Sequence, residues 1–250
     1  MMELEIIRDG LRLHGLLERP DDGRPHPLVI MCHGFHGDLG RDPASLYSRI
    51  ARRLVAGGVG VLRFDFNGHG RSDGDFSRMD VCNEIEDLIA VLRHARSRAD
   101  VTDIRLLGHS QGGVVAGMTA GLYHDVIDRL VLLAPAAALK DDALAGVCMG
   151  RRYDPAHIPD LVDVPGAGAV GGHYFRIAQL LPIHEVTARF AGPALAIHGE
   201  ADTVVDPAAS RRYGETMPDC AVRLFPGLDH GIEGEDSEAA IDLAVRFLTV

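Results

Sequence analysis

The seven residues Leu107-Gly108-His109-Ser110-Gln111-Gly112-Gly113 close an apolar run at 104–107 and open a helical pattern at 112–123. A serine with a glycine two positions away on either side fits G-x-S-x-G. That spacing suits a sharp strand-to-helix turn, where the serine is strained and only small neighbours leave room. The turn lifts the hydroxyl clear of a sheet, and a helix starting near Gln111 aims free N–H groups at any oxyanion that forms there. The segment predicts a nucleophile at Ser110 and an α/β fold to carry it.

The surrounding pattern agrees. Short apolar runs at 28–32, 60–64, 104–107, 130–133, 194–197 and 221–225 read as strands. Helical patterns at 43–55, 80–95, 112–123, 207–217 and 237–248 separate most of them, which implies a mostly parallel sheet covered on both faces. In the 80–95 stretch Val81, Ile85, Leu88, Ile89 and Leu92 share one face; Glu84, Glu86 and Asp87 are expected outside, and Asp80 is the expected N-cap. Ahead of the first core strand, runs at 3–7 and 11–18 flank Asp9-Gly10, a pair suited to a tight hairpin. The stretch 136–190 breaks the rhythm with Pro155, Pro159, Pro165, Pro182 and several glycines. The expected architecture is one core, residues 1–135 and 191–250, with 136–190 inserted as a lid over the site.

A serine hydroxyl needs a base, and the base needs a carboxylate to hold its tautomer. In the order serine, acid, histidine, the candidates are Asp202, just past the strand at 194–197, and His230, in the loop before the last helix. Glu200 and Asp206 compete with Asp202. Asp229 adjoins His230, and neighbouring side chains diverge, so it is expected to face solvent. His33 and His109 flank the motifs and are expected to be structural. The oxyanion donors are expected at the backbone N–H groups of Phe35, in His33-Gly34-Phe35-His36-Gly37, and of Gln111. His33-x-x-His36 lacks a third ligand for a metal. The glycine turn at 65–72 has neither G-x-G-x-x-G nor a P-loop lysine, so no cofactor is expected.

Composition narrows the partners. Thirty-six acidic residues against 25 basic ones give a net charge of -11, which repels nucleic acid and anionic membranes. The N-terminal residues carry no signal-peptide pattern and no run approaches a membrane span, so a cytoplasmic protein is expected. Cys32, Cys82, Cys148 and Cys220 are scattered and read as reduced thiols. The oligomeric state stays open, a homodimer among the options.

Further motifs carry a family resemblance. His33-Gly34-Phe35, Asp65-Phe66-Asn67-Gly68-His69-Gly70, Asn83-Glu84-Ile85-Glu86-Asp87, His109-Ser110-Gln111-Gly112-Gly113-Val114-Val115, the stretch Leu133-Ala134-Pro135 through Asp141-Asp142-Ala143-Leu144, and Gln179-Leu180-Leu181-Pro182-Ile183 resemble the bacterial cinnamoyl (feruloyl) esterases, which are α/β-hydrolases. The resemblance runs through nearly the whole chain. It implies a serine carboxylesterase acting on hydroxycinnamate esters, without a cofactor, whose lid holds the ring hydroxyls of a small aromatic ester through Asp142 and Tyr174. Tyr153 and His173 add polar positions to the lid. Where the family carries Thr-Gln before a glycine, this chain has Cys148-Met149-Gly150, so a polar contact is expected to be lost. Two other readings share the fold: a short-chain acyl esterase or monoacylglycerol lipase, and a non-catalytic ligand receptor.

Overall fold

A computed structural model describes residues 1–250. The chain opens with β1 (Met2–Arg8) and β2 (Leu11–Glu18), an antiparallel hairpin turning at Asp9 and Gly10, both at positive φ. There follow β3 (His26–Cys32), α1 (Leu46–Ala56), β4 (Gly60–Phe64), α2 (Val81–Arg96), β5 (Val101–His109), α3 (Gln111–Leu122) and β6 (Ile127–Leu133). After β6 the chain leaves the sheet for α4 (Leu139–Ala145), β7 (Val147–Cys148), β8 (Arg151–Arg152), β9 (Leu161–Val164), β10 (Gly168–Gly171), α5 (Gly172–Ala178) and α6 (Ile183–Thr187). It returns with β11 (Ala194–Gly199), α7 (Ala208–Thr216), β12 (Cys220–Phe225) and α8 (Ser237–Thr249).

Eight strands form one sheet in the order β1-β2-β4-β3-β5-β6-β11-β12, parallel from β4 onward. The two short hairpins β7-β8 and β9-β10 stand apart from it. This is the α/β-hydrolase fold, with a mostly parallel sheet between two helical layers. Side chains alternate across the strands as the pleat requires. Leu28, Ile30, Leu62, Leu106, Leu130 and Ala196 pack toward α2, α3 and α7, whereas Val29, Met31, Val61, Leu107, Val131 and Ile197 pack toward α1 and α8. α3 is buried on every side except at Leu122, which explains a sequence without an outward polar stripe.

Several boundaries and one face differ from the sequence pattern. β5 begins at Val101 rather than 104, because Thr102, Asp103 and Arg105 interrupt the apolar run while the backbone still pairs; the buried Arg105 is held by Asp103 and the Leu248 carbonyl. β6 begins at Ile127 for the same reason, with Asp128 and Arg129 in its first turn of pleat. α1 begins at Leu46, capped by the Ser45 hydroxyl, after Pro43 has been spent in a turn. α2 has the expected Asp80 cap, closed reciprocally by Asn83, but Glu84 and Asp87 are buried and only Glu86 faces out. Asp87 accepts hydrogen bonds from Arg8 Nε (2.7 Å), Asn67 N (2.8 Å) and Asn67 Nδ2 (2.7 Å), which compensates its burial. No helix is long and apolar enough to cross a membrane.

Candidate active site

Ser110 stands between β5 and α3 at φ 55°, ψ −123°, a conformation L-residues rarely adopt. Both motif glycines are required by close approach. A Cβ on Gly108 would overlap the Gly112 carbonyl, and one on Gly112 would overlap the carbonyl oxygens of Cys32 and His33. The close seating of the first turn of α3 on the ends of the paired strands β3 and β5 therefore fixes the serine at the carboxyl end of the sheet.

The structure brings Ser110, His230 and Asp202 into one chain of hydrogen bonds. Ser110 Oγ lies 2.9 Å from His230 Nε2, and His230 Nδ1 lies 2.8 Å from Asp202 Oδ2. A carboxylate only accepts, so His230 carries its proton on Nδ1 and presents a lone pair to the serine. Asp202 has its side chain shielded from solvent and all its acceptor positions used: Oδ2 also takes His198 Nε2–H at 3.0 Å, and Oδ1 takes the N–H groups of Val204 (2.7 Å) and Val205 (2.9 Å). Burial pushes the carboxyl up, but the hydrogen bonds from His198, His230, Val205 and Val204 outweigh it and hold the group well below the usual carboxylate range. The competing acids are elsewhere: Glu200 is exposed near Arg211, Asp206 bonds the Ala208 amide, and Asp229 is exposed and accepts from Glu233 N.

Two histidines serve as struts. His109 Nε2–H donates to the His230 carbonyl (2.8 Å), and its Nδ1 accepts from the Tyr47 hydroxyl (3.0 Å), which itself accepts from Gly34 N (3.3 Å). His33 donates from Nδ1 to the Gly34 carbonyl (2.9 Å) and accepts at Nε2 from Phe66 N (3.1 Å), so the backbone uses both its nitrogens. Burial pushes both rings down, His33 to about 3 and His109 to about 4, with nearby histidines adding to the effect. Tyr47 and His198 were not singled out by sequence reasoning. His198-Gly199 lay within the motif that supplied Asp202, but nothing in a one-dimensional pattern aims its ring at that carboxylate.

The loop 34–37 closes by a Gly37 N to Gly34 O turn, and a Cβ on Gly34 would lie 3.0 Å from Ser110 Cβ. Neither Phe35 N–H nor Gln111 N–H is bonded within the protein, and both residues border the cavity in front of Ser110. Two free N–H groups beside a serine can stabilise a developing negative oxygen.

That cavity opens directly in front of Ser110 and is bordered by residues of the 136–190 segment. Its walls are mostly apolar, from Leu139, Val147, Phe175 and Val205 among others, and its polar lining includes Gln111, Asp142 and Tyr174 besides Ser110. Asp142 remains solvent-exposed and is not a helix cap, since Ala138 occupies that position in α4. Partial desolvation by the surrounding cavity wall, then the charge of neighbouring Asp141, pushes its carboxyl up. Tyr174 is buried, and its hydroxyl donates to Gln111 Oε1 at 2.7 Å. Tyr153 and His173 do not line the cavity: Tyr153 packs on Phe175 and bonds the Ala143 carbonyl, and His173 sits 3.9 Å from Asp80. Met149, in place of a polar residue, forms part of the wall.

Residues 23–156 match the Hydrolase_4 family, described as serine aminopeptidase, S33. The structure of Est1E from Butyrivibrio proteoclasticus with ferulic acid bound superposes with a TM-score of 0.91 at 30% identity, covering 99% of this chain and 100% of that one. The monoacylglycerol lipase of Mycolicibacterium smegmatis is 24% identical over 250 residues, covering 88% of this chain and 86% of its own. The monoacylglycerol lipase of Paleococcus ferrophilus shares the fold, with a TM-score of 0.72 at 23% identity over 95% of this chain and 98% of that one. The chain belongs to the Hydrolase_4 family of α/β-hydrolases and is a serine hydrolase.

Proposed function

We propose that the protein is a carboxylesterase that hydrolyses hydroxycinnamate esters, feruloyl, caffeoyl and p-coumaroyl, through an acyl-enzyme. Ser110 Oγ attacks the ester carbonyl as its proton passes to His230 Nε2, and Asp202 stays ionised and steadies the imidazolium. The N–H groups of Phe35 and Gln111 receive the oxyanion. The alcohol leaves with the proton from Nε2, and water, deprotonated by the same nitrogen, attacks the acyl carbon and releases the acid. No cofactor enters these steps.

The observation that carries this reading is the cavity: an apolar slot that starts at Ser110 and bears one carboxyl, Asp142, and one phenol, Tyr174. Apolar walls suit an aromatic ring, and the two polar groups suit ring hydroxyls, whose donors a carboxylate accepts. The likeness to Est1E, a protein solved with ferulic acid, supports the same choice. Residues 136–190 act in this reading as the lid that selects the acid. A monoacylglycerol lipase is the second reading, favoured by the mycobacterial relative and by exposed Met149 and Val204 on the cavity wall.

Asp142→Ala separates the two. It is expected to raise KM for caffeoyl and feruloyl esters by about tenfold, the loss of one charge-assisted hydrogen bond, and to leave methyl butyrate within about twofold. Equal effects on both esters would remove the role assigned to Asp142.

A further inference from the structure

α2 carries a carboxyl where its amphipathic pattern has no use for one. Glu84 is 1% exposed, between apolar Val81 and Leu88, and forms no ion pair. Its Oε2 accepts from Gln111 Nε2 at 2.8 Å, and Gln111 Oε1 in turn accepts from the Tyr174 hydroxyl at 2.7 Å. All three side chains are buried, so the chain of bonds is shielded from competing water. Phe35 packs its ring 5.5 Å from that of Tyr174. Both residues whose free N–H groups border Ser110 therefore lean on Tyr174, one by a hydrogen bond and one by ring contact.

We propose that Glu84 is a positioning residue: through the side-chain amide of Gln111 it commits the Tyr174 proton and leaves the phenol oxygen only its lone pairs for the acyl cavity. The polarity follows from the donor set. Gln111 Nε2 lies against Glu84 Oε2 and, at 3.9 Å, against the Met79 thioether sulfur, which can only accept, so the amide oxygen is left for Tyr174, which donates. A ring hydroxyl on the acyl group donates to the oxygen so held, whereas a methyl ether at the same place has nothing to donate. Burial, reinforced by the charges of Asp87 and Asp80 and opposed by the Gln111 bond, pushes the Glu84 carboxyl well above its ordinary value. Glutamine at this position keeps a side-chain carbonyl oxygen that can accept the same Gln111 N–H. The role rests on the hydroxycinnamate reading and makes it narrower: acids with a free ring hydroxyl are preferred over their methyl ethers.

The test is the ratio of kcat/KM for methyl 4-hydroxycinnamate to that for methyl 4-methoxycinnamate, measured in the whole protein and in Glu84→Gln, Glu84→Leu, Tyr174→Phe and Glu84→Leu/Tyr174→Phe. The ratio is expected to be about tenfold in the parent and to persist within about threefold in Glu84→Gln, which keeps an acceptor for Gln111. It should fall to about unity in Glu84→Leu and in Tyr174→Phe, with no further fall in the double variant, because both break one chain of bonds. A merely structural Glu84 would slow both esters alike and leave the ratio alone; that result in folded Glu84→Leu overturns the proposal, as does a double variant whose effects multiply. If Glu84→Leu does not fold, Gln111→Met breaks the same chain at its middle, and an unchanged ratio there overturns it equally. A parent protein that hydrolyses methyl butyrate and neither cinnamate overturns the functional reading, and this role with it.

Discussion

Asp202→Asn removes one charge and barely changes volume, yet the surroundings of the carboxylate make it decisive. Oδ1 receives two backbone N–H groups, Val204 at 2.7 Å and Val205 at 2.9 Å, so the carbonyl of the new amide must stay there. Its NH₂ then takes the place of Oδ2, 2.8 Å from His230 Nδ1 and 3.0 Å from His198 Nε2. A donor now faces His230 where an acceptor stood. The imidazole answers by moving its proton to Nε2, which then points an N–H at Ser110 and cannot take the serine proton. Losing the correct tautomer costs about 10⁴ in kcat, or about 5.4 kcal/mol of barrier. The assay is kcat on p-nitrophenyl butyrate for Asp202→Asn against the parent, with Ser110→Ala as the blank and circular dichroism to confirm folding. Activity within about tenfold of the parent would refute this account of Asp202.

Two further perturbations test the scaffold. Gly112→Ala drives a methyl group into the Cys32 and His33 carbonyls, backbone that cannot step aside, and is expected to cost more than about 4 kcal/mol in urea unfolding or to abolish soluble protein; parent-like stability would contradict the close seating of α3 on β3 described at the turn. The buried, neutral His33 and His109 titrate near 3 and 4 in the folded chain and near 6.5 once unfolded. Between those values the unfolded chain binds protons that the native chain refuses. Stability is therefore complete above about pH 6.5 and falls as pH drops toward 4, by roughly several kcal/mol, and urea midpoints that stay flat from pH 7 to 4.5 would contradict it.

The legible parts of the fold were those where one local rule decided the outcome. β4 reads directly from Gly60 to Phe64 because every residue is buried and apolar or, at Arg63, flanked by apolar neighbours. The turn at Ser110 reads from its glycines because no other residue fits there. His230 and Asp202 followed from chain order and from the needs of the serine. Glu84 misled, since an acid on an amphipathic helix looks like solvent face until a partner from another element, Gln111, is brought to it. The elements between β6 and β11 stayed illegible for a related reason. β9 and β10 pair over four residues each and α6 spans five, lengths at which tertiary contacts rather than local preference set the structure. The Tyr47–His109–His230 strut likewise joins residues far apart in sequence and leaves no periodic trace.

The most direct measurement is kcat/KM on methyl ferulate and methyl butyrate, two esters with the same leaving group, using the purified protein and Ser110→Ala as the blank. A cavity that grips an aromatic acid should favour methyl ferulate by tenfold or more, about 1.4 kcal/mol of differential transition-state binding. Preference for methyl butyrate would contradict the hydroxycinnamate reading and leave a serine hydrolase with an alkyl-acyl pocket.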